Sequence, residues 1–231
     1  MLEELKAAVC EANRELPRRG LVTYTWGNVS GLDRARGLMV IKPSGVPYDE
    51  LRPDRLVTLD LDGRVVEGTL RPSSDAPTHL ALYRAFAGVG GVAHTHSRQA
   101  AAWAQAGRDI PALGTTHADY FHGPIPCARA LTDEEIAGDY EAATGRVLVE
   151  ALRGRDPLAM PAALARQHAS FTWGRDAAEA VHNAVVLEEV AGMALHTLWL
   201  SPDAPPVSAA LLDRHYRRKH GPAAYYGQPA R

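Results

Sequence analysis

The sequence contains few cysteines and almost no charge imbalance, and each shortage excludes a class of protein. Among 231 residues only Cys10 and Cys127 are cysteines, and they form neither a C-x-x-C zinc pattern nor a dense disulfide framework. The formal net charge is −2, so the composition gives no sign of a nucleic acid or membrane partner. Recognition of a small anion must therefore depend on a few local residues.

A long apolar run and a secretory signal pattern are also missing. The longest apolar segment, 190–200, is interrupted by Gly192, His196 and Thr197 and is too short to span a bilayer, so it is interpreted as a core helix. The first six residues include two acids where a signal peptide would be basic. These observations favour a cytoplasmic protein. The length, with no long linker, favours a single domain over residues 1–231.

Hydrophobic periodicity predicts helices that alternate with short strands. An amphipathic helix from Leu2 ends at Pro17, and the capping residues 73–77 begin another helix. Hairpin signals such as Asp62-Gly63 occur beside helical crossovers, which predicts an α/β fold with a mixed or antiparallel sheet between helices. The remaining predictions are strands at 22–25, 38–42, 56–61, 65–66 and 90–95, paired strands within 163–173, and helices at 97–106, 132–152, 176–200 and 209–219.

Two histidines on one predicted strand are candidate metal ligands. In His94-Thr95-His96, alternation places both imidazoles on one face, with Cα atoms about 6.6 Å apart. His168 falls on another predicted strand, and Asp75 stands at the mouth of a predicted helix. Three imidazoles and one carboxylate suit a divalent ion such as zinc. Each residue also has an ordinary explanation: H-x-H pairs occur by chance, Asp75 would cap its helix, and His168 would satisfy polar groups in the core.

A second group of residues is suited to an anion. Lys42-Pro-Ser-Gly45 ends a strand with a cation, a hydroxyl and a glycine that lets backbone N–H groups approach a ligand. Ser73-Ser74 adds hydroxyls at a helix N-terminus. A plain turn and a plain helix cap explain these residues equally well when each is taken alone. Together with Asp75 they predict a phosphate pocket beside the metal site.

Several motifs recur together along nearly the whole chain. They are LVTYTWGNVS at 21–30, IKPSGV at 41–46, RPSSD at 71–75, HTHS at 94–97 and GTTHADYF at 114–121. The similarity continues through IPC at 125–127, VHN at 181–183, LEEV at 187–190 and HY at 215–216 to YYGQ at 225–228. On these motifs the chain resembles the L-ribulose-5-phosphate 4-epimerases of the class II aldolase/epimerase family.

The resemblance implies a three-layer α/β/α fold with a central mixed, largely antiparallel sheet. It also implies a fourfold-symmetric homotetramer with active sites between adjacent subunits, and one divalent metal per subunit, Zn²⁺ first with Mn²⁺ or Co²⁺ as alternatives. By position it implies metal ligands at Asp75, His94, His96 and His168, phosphate ligands at Asn28, Lys42, Ser44, Gly45, Ser73 and Ser74, and an acid–base pair at Asp119 and Tyr226. Further active-site positions are Thr115, Glu141, His215 and Arg218, the last two reaching a neighbouring subunit's site.

One departure from the family lies directly after His168. The family commonly has Gly-Pro at this point, and this chain has Ala169-Ser170. If the glycine supplies a positive φ, alanine strains the backbone by about 1 kcal/mol. The segment 153–160 is also shortened relative to the family. Neither change removes a proposed ligand.

The activity implied by the resemblance is inversion of carbon 4 of L-ribulose 5-phosphate, which gives D-xylulose 5-phosphate in pentose catabolism. The hydrogen at carbon 4 is not α to the carbonyl, so simple proton abstraction is excluded. Transient oxidation would need a nicotinamide, but the G-x-G-x-x-A run at 88–93 leaves a helix and enters a strand, the reverse of a dinucleotide site. Cleavage and re-formation of the bond between carbons 3 and 4 remains, and it needs a Lewis acid.

Two other functions fit parts of the pattern. A class II sugar-phosphate aldolase on the same fold would release its fragments instead of rejoining them. Related aldolases usually carry glutamate at the position of Asp75, so the shorter aspartate favours the epimerase. A non-catalytic cupin-type metal-binding protein also uses H-x-H strands, but it would continue with strands after His96, where a helix is predicted.

Overall fold

A seven-stranded sheet forms the centre of the computed structural model, which describes residues 2–221 and 224–226. Its strands are β1 (Gly27–Asp33), β2 (Leu38–Ile41), β3 (Val57–Asp60), β4 (Val65–Glu67), β5 (Gly91–Thr95), β6 (Ala162–Leu164) and β7 (Ser170–Gly174). Across the sheet they follow the order β4-β3-β2-β1-β5-β7-β6, and neighbouring strands pair antiparallel. One isolated parallel bridge joins Cys127 to Leu164. The predicted mixed, largely antiparallel sheet is confirmed.

Helices cover both faces of this sheet. Val29 of β1 points to the face that α1 and the first half of α7 cover, whereas the next residue, Ser30, points to α2 on the other face. The predicted three-layer α/β/α arrangement is therefore confirmed. The helices are α1 (Leu2–Arg18), α2 (Ala76–Ala85), α3 (Arg98–Ala106), α4 (Thr115–Ala118), α5 (Asp133–Ala137), α6 (Tyr140–Ala151), α7 (Ala177–Leu200) and α8 (Ala209–His220).

Two predicted elements are wrong. The segment 22–25 is a loop, in which Tyr24 has a φ of 50°, and the strand begins at Gly27 instead. The polar and glycine-containing sequence of β1 hides this strand because its side chains lack alternating apolar character. The single helix predicted for 132–152 is two helices, because the chain leaves helical geometry at Gly138 and a new N-cap begins at Asp139.

Helix α7 only partly fits its interpretation as a core helix. Its middle residues Val190, Ala191 and Ala194 are buried, but Trp199 and Leu200 at its end are 82% and 89% exposed. None of the helices in the described part of the chain combines the length and apolarity that a bilayer crossing requires.

Candidate metal centre and active-site pocket

Three imidazoles converge at the end of strand β5. His94 is on β5, His96 follows it directly, and His168 lies in the turn between β6 and β7, not on a strand as predicted. One ligand atom from each of the three lies within 4.8 Å of the others. The Nε2 atoms of His94 and His96 are 3.1 Å apart. This spacing suits a single ion held by all three rings.

The orientation of His94 is fixed by its neighbours on β7. Its Nδ1 donates a hydrogen bond of 3.0 Å to the Ser170 carbonyl oxygen, because a carbonyl can only accept. Nε2 is therefore the nitrogen left free to bind a metal, and it faces His96. The Phe171 ring stacks on His94 with 4.2 Å between ring centroids and holds the plane of the imidazole.

The Asp75 carboxylate completes this group. Asp75 occupies the N-cap of α2, but its side chain makes no capping hydrogen bond. Instead its Oδ2 accepts a 2.7 Å bond from Asn28 Nδ2 and lies 4.0 Å from His94 Nε2. Burial raises the pKa of Asp75, but the neighbouring His94 and His79 and the Asn28 bond outweigh burial and hold that pKa below its ordinary value. The carboxylate is therefore ionised and faces the imidazoles.

The other two imidazoles are neutral at pH 7. Burial, strengthened by the adjacent His94, lowers the pKa of His96 to about 4 and the pKa of His168 to about 4. Neutral imidazoles offer the lone pairs that a metal needs. Three imidazole nitrogens and one carboxylate oxygen form a donor set that suits a divalent ion such as zinc.

These four residues line one end of a pocket of about 570 Å³. Lys42 lines another part of it and is 2% exposed, with its Nζ 3.2 Å from the Pro43 carbonyl oxygen and 5.1 Å from the centre of the Tyr48 ring. Within the described residues no carboxylate pairs with it, and burial lowers the pKa of Lys42 to about 8. The remaining predicted residues in the same lining are Asn28, Ser44, Gly45, Ser73, Ser74 and Glu141.

The other predicted residues form a separate group around Asp119, at the end of α4. Arg218 on α8 donates to both of its carboxylate oxygens, with Nε–Oδ1 and Nη2–Oδ2 distances of 2.9 and 2.6 Å. His215 Nδ1 donates to Oδ1 at 3.0 Å, and the Tyr226 ring lies 4.8 Å from the Arg218 guanidinium. Burial raises the pKa of Asp119, but the bonds from Arg218 and His215 outweigh it and lower that pKa. Thr115 begins the same short helix.

The arrangement of this sheet and its helices is shared with solved structures. The family model described as "Class II Aldolase and Adducin N-terminal domain" matches residues 7–195. The chain belongs to the class II aldolase family. The resemblance stated from the sequence motifs is thereby confirmed.

Individual members of the class II aldolase family are also similar to this chain in sequence or in fold. The chain is 58% identical over 98% of its length to the full length of the L-ribulose-5-phosphate 4-epimerase UlaF of Salmonella typhi. An L-fuculose 1-phosphate aldolase structure superposes with a TM-score of 0.79 at 23% identity, covering 93% of this chain and 95% of that one. The structure of the L-fuculose-1-phosphate aldolase of Thermus thermophilus superposes with a TM-score of 0.67 at 27% identity, covering 88% of this chain and 98% of that one.

Members of the class II aldolase family use a divalent metal, and the three-histidine group of this chain suits that property. The predicted residues divide between the pocket and the Asp119 group. The pocket lining within the described residues contains none of Thr115, Asp119, His215, Arg218 and Tyr226. Gln228, the last residue of the resembling motifs, lies outside the described residues.

Some pocket residues of this chain were not predicted from the sequence. Thr25 and Trp26 line the pocket, as does Tyr140, whose hydroxyl is 3.5 Å from His168 Nδ1. Trp26 stands inside the 21–30 motif, and Tyr140 precedes the predicted Glu141, so their positions beside recognised residues were the available signal.

The turn that carries His168 does not strain Ala169. In the described chain, the non-glycine residues with positive φ are Tyr24 and Gln167, whose φ is 58°. The left-handed residue of this hairpin is therefore Gln167, one position before the histidine. The Ala169 carbonyl oxygen instead accepts a 2.8 Å hydrogen bond from the Ala165 N–H, and this bond closes the turn.

Proposed function

We propose that this protein is an L-ribulose-5-phosphate 4-epimerase that inverts carbon 4 and forms D-xylulose 5-phosphate. The observation that carries the proposal is one pocket in which three imidazoles and the Asp75 carboxylate converge beside Lys42, a buried cation without a carboxylate partner among the described residues. Relatives of that name, 58% identical over 98% of the chain, support it. The same activity assigns the protein to pentose catabolism in the cytoplasm.

The position of the inverted carbon determines the route. Its hydrogen is not α to the carbonyl at carbon 2, so a base cannot remove it directly. Breaking the bond between carbons 3 and 4 frees an aldehyde that can turn and present its other face before the bond re-forms. Asp75, His94, His96 and His168 would hold a divalent ion, which would supply the Lewis acid that this cleavage needs. The donor set favours Zn²⁺, with Mn²⁺ and Co²⁺ as alternatives.

The phosphate end of the substrate binds at Lys42. Burial without a partner makes the ammonium costly, and a phosphate would relieve that cost by pairing with it. Gly45 has a φ of 70° and open space around it, so the backbone can approach a ligand closely there. Asn28 and the hydroxyls of Ser44, Ser73 and Ser74 line the same pocket and add polar contacts. A tethered aldehyde phosphate can rotate without leaving the pocket.

The proton transfers on the two faces of the aldehyde belong to Asp119 and Tyr226. In one chain these residues form a group with His215 and Arg218 that is not part of the pocket lining. We assign them to the pocket of an adjacent subunit in a homotetramer, with Thr115 and Glu141 at the edges of the shared site. Tyr226 is 59% exposed, which leaves its ring available to a neighbour.

The rival function is a class II sugar-phosphate aldolase, since solved aldolases share the fold. Asp75 favours the epimerase because it is a short side chain held against His94 by Asn28, as a metal ligand would be. A cupin-type protein does not fit, because α3 begins at Arg98 where further strands would be needed.

One assay separates these functions. L-Ribulose 5-phosphate is supplied to zinc-loaded and to chelator-stripped protein, and D-xylulose 5-phosphate is measured together with free dihydroxyacetone and glycolaldehyde phosphate. We expect D-xylulose 5-phosphate from the loaded protein only. Accumulation of the two fragments without the product would instead identify an aldolase, and equal turnover after stripping would remove the metal from the mechanism.

A further inference from the structure

A buried histidine that the proposed chemistry does not use lies beside the metal centre. His79 is on α2, one helical turn after Asp75, and is 0% exposed. Its Nδ1 is 2.7 Å from Ser30 Oγ, and its Nε2 is buried without a hydrogen-bond partner among the described residues. A neutral imidazole carries one N–H, on either Nδ1 or Nε2. The position of that hydrogen is fixed by its neighbours.

The hydroxyl groups next to His79 leave one economical arrangement of hydrogens. Ser30 Oγ is also 2.8 Å from the Tyr83 hydroxyl, which is buried. If Tyr83 donates to Ser30 and Ser30 donates to His79 Nδ1, both hydroxyl hydrogens are used. The reverse arrangement leaves the buried Tyr83 hydroxyl hydrogen without an acceptor among the described residues, which costs about 1–3 kcal/mol. The first arrangement leaves the His79 Nε2–H unpaired at a similar cost. A water at Nε2 would remove the cost of the first arrangement but not that of the reverse one, so the His79 hydrogen is placed on Nε2.

The complementary atom belongs to Asn28. Its Nδ2 donates to Asp75, while its Oδ1 is a buried acceptor without a partner in the described part of the chain. Asn28 and Ser30 are alternate residues of β1, so both point to the α2 face of the sheet, where His79 lies. A buried donor and a buried acceptor thus lie on the same face of the sheet, and pairing both is the usual condition of buried polar groups.

We infer that a single buried water joins His79 Nε2–H to Asn28 Oδ1, so that Tyr83, Ser30 and His79 hold Asn28 in the orientation that positions Asp75 for the metal. Such a water needs at least two polar partners, and these two atoms provide them. His79 is a positioning residue, which acts through Asn28 and touches no substrate. This inference rests on the metal site of the proposed function.

Neutron diffraction from a deuterium-exchanged crystal of the zinc-loaded protein tests the hydrogen and the water directly. We expect deuterium on His79 Nε2, none on Nδ1, and a water within hydrogen-bond distance of both Nε2 and Asn28 Oδ1. Deuterium on Nδ1, or an apolar gap between the two atoms, would overturn the inference. This result does not depend on turnover, so it stands apart from the fate of the proposed function.

Zinc affinity, measured by competition with a chromophoric chelator, tests the positioning role. His79→Leu should weaken binding on the order of tenfold, as loss of outer partners of metal ligands commonly does. His79→Gln places an amide N–H near the Nε2 position and should restore most of the affinity. His117→Leu is the matched control, because His117 is also buried with one unpaired nitrogen but lies on α4 and bonds to Gly123. Equal losses in His79→Leu and His117→Leu would indicate a purely structural role.

A double-mutant cycle with Asn28→Ala shows whether His79 acts through Asn28. We expect His79→Leu to weaken zinc binding in the natural background and to have little further effect once Asn28 is alanine. Additive losses would overturn the inference. If the unsubstituted protein fails to bind zinc at all, the proposed function fails with it, and neutron diffraction from a crystal of the zinc-free protein then decides the hydrogen-bond chain alone.

Discussion

Asn28 donates its side-chain amide to the same Asp75 oxygen that lies 4.0 Å from His94 Nε2. Asn28 and His94 are direct partners in the pairing of β1 with β5, so the sheet determines where this amide stands. Asp75 begins helix α2, yet its carboxylate is oriented by the sheet and not by its own helix. The carboxylate is therefore placed to join the three imidazoles as a metal ligand, which leads to the first prediction.

Asp75→Asn should reduce zinc affinity by at least about tenfold and abolish turnover, because an amide is a poorer metal ligand than a carboxylate. Stability should change little, since Asp75 makes no capping bond. Chelator competition and thermal unfolding measure the two effects. Asp176→Asn is the matched control, because Asp176 does cap its helix through the Glu179 N–H at 2.8 Å and lies at the start of α7. Normal zinc affinity in Asp75→Asn would exclude Asp75 as a ligand.

Lys42→Met should stabilise the metal-free protein by about 2 kcal/mol while raising KM strongly, because it replaces a buried unpaired cation by an apolar side chain of similar size. Urea unfolding and steady-state kinetics provide the two readouts. Lys6→Met is the control: Lys6 is 4% exposed but is paired with Glu67 at 2.5 Å, so its loss should not stabilise the fold or change KM. A destabilised Lys42→Met with normal KM would remove Lys42 from phosphate binding.

The same lysine predicts a dependence of stability on pH. Its pKa in the folded protein is about 8, below the ordinary 10.5, so between these pH values the unfolded chain binds more protons than the folded chain. The contribution of Lys42 to the free energy of unfolding therefore rises with pH from about 8 to 10.5. When the free energies of unfolding of the natural protein and of Lys42→Met are plotted against pH, the two plots should converge between about pH 8 and 10.5. Plots that stay parallel over this range would contradict the lowered pKa of Lys42.

Asp119→Asn should lower kcat by at least about a hundredfold, the size of one acid–base contribution, while leaving zinc content intact. The residue lies in the group with Arg218 and His215, away from the metal ligands. Asp213→Asn is a suitable control, because it removes an exposed carboxylate that bonds to His122 at 2.7 Å. Unchanged turnover in Asp119→Asn would exclude Asp119 from the mechanism.

Sharing of the site between subunits predicts recovery of activity in mixed oligomers. His96→Gln and Asp119→Asn should each be inactive alone. When the two variants are co-expressed and form oligomers at random, about one quarter of the head-to-tail interfaces combine an intact metal centre with an intact Asp119. The activity should therefore return to about one quarter of that of the natural protein. The control is a mixture of the two separately purified variant oligomers under conditions in which they do not exchange subunits, and it should stay inactive. Absence of recovery in oligomers that contain both chains would place the complete site within one subunit.

The layered fold and the pairing of His94 with His96 could be predicted from the sequence, because hairpin signals, helical periodicity and the H-x-H spacing are local patterns. Strand β1 could not, since its polar and glycine residues are held by pairing with β2 and β5 and not by their own propensity. His168 was assigned to a strand because apolar residues follow it, whereas its turn is set by the left-handed Gln167. The family that the sequence motifs indicated is the family that the family model and the epimerase relatives show.

The separation of Asp119 from the pocket could not be predicted from the sequence either. It depends on how α8 returns to α4, a contact between positions 99 residues apart. Likewise, the sequence left open whether Asp75 caps its helix. In the structure its carboxylate accepts a hydrogen bond from Asn28 and makes no capping bond. Long-range partners of polar side chains are thus the part of the site that local patterns omit.

Strands β1, β5 and β7 are neighbours, and His94 stands between Asn28 on one side and Phe171 on the other. A slip of one residue between β1 and β5 would turn Asn28 to the opposite face of the sheet. A chain that misaligns these strands during refolding would keep its helices but would no longer hold Asn28 against Asp75 beside His94. The amount of zinc bound per chain would therefore count the correctly aligned molecules in a refolded sample, which circular dichroism alone does not distinguish.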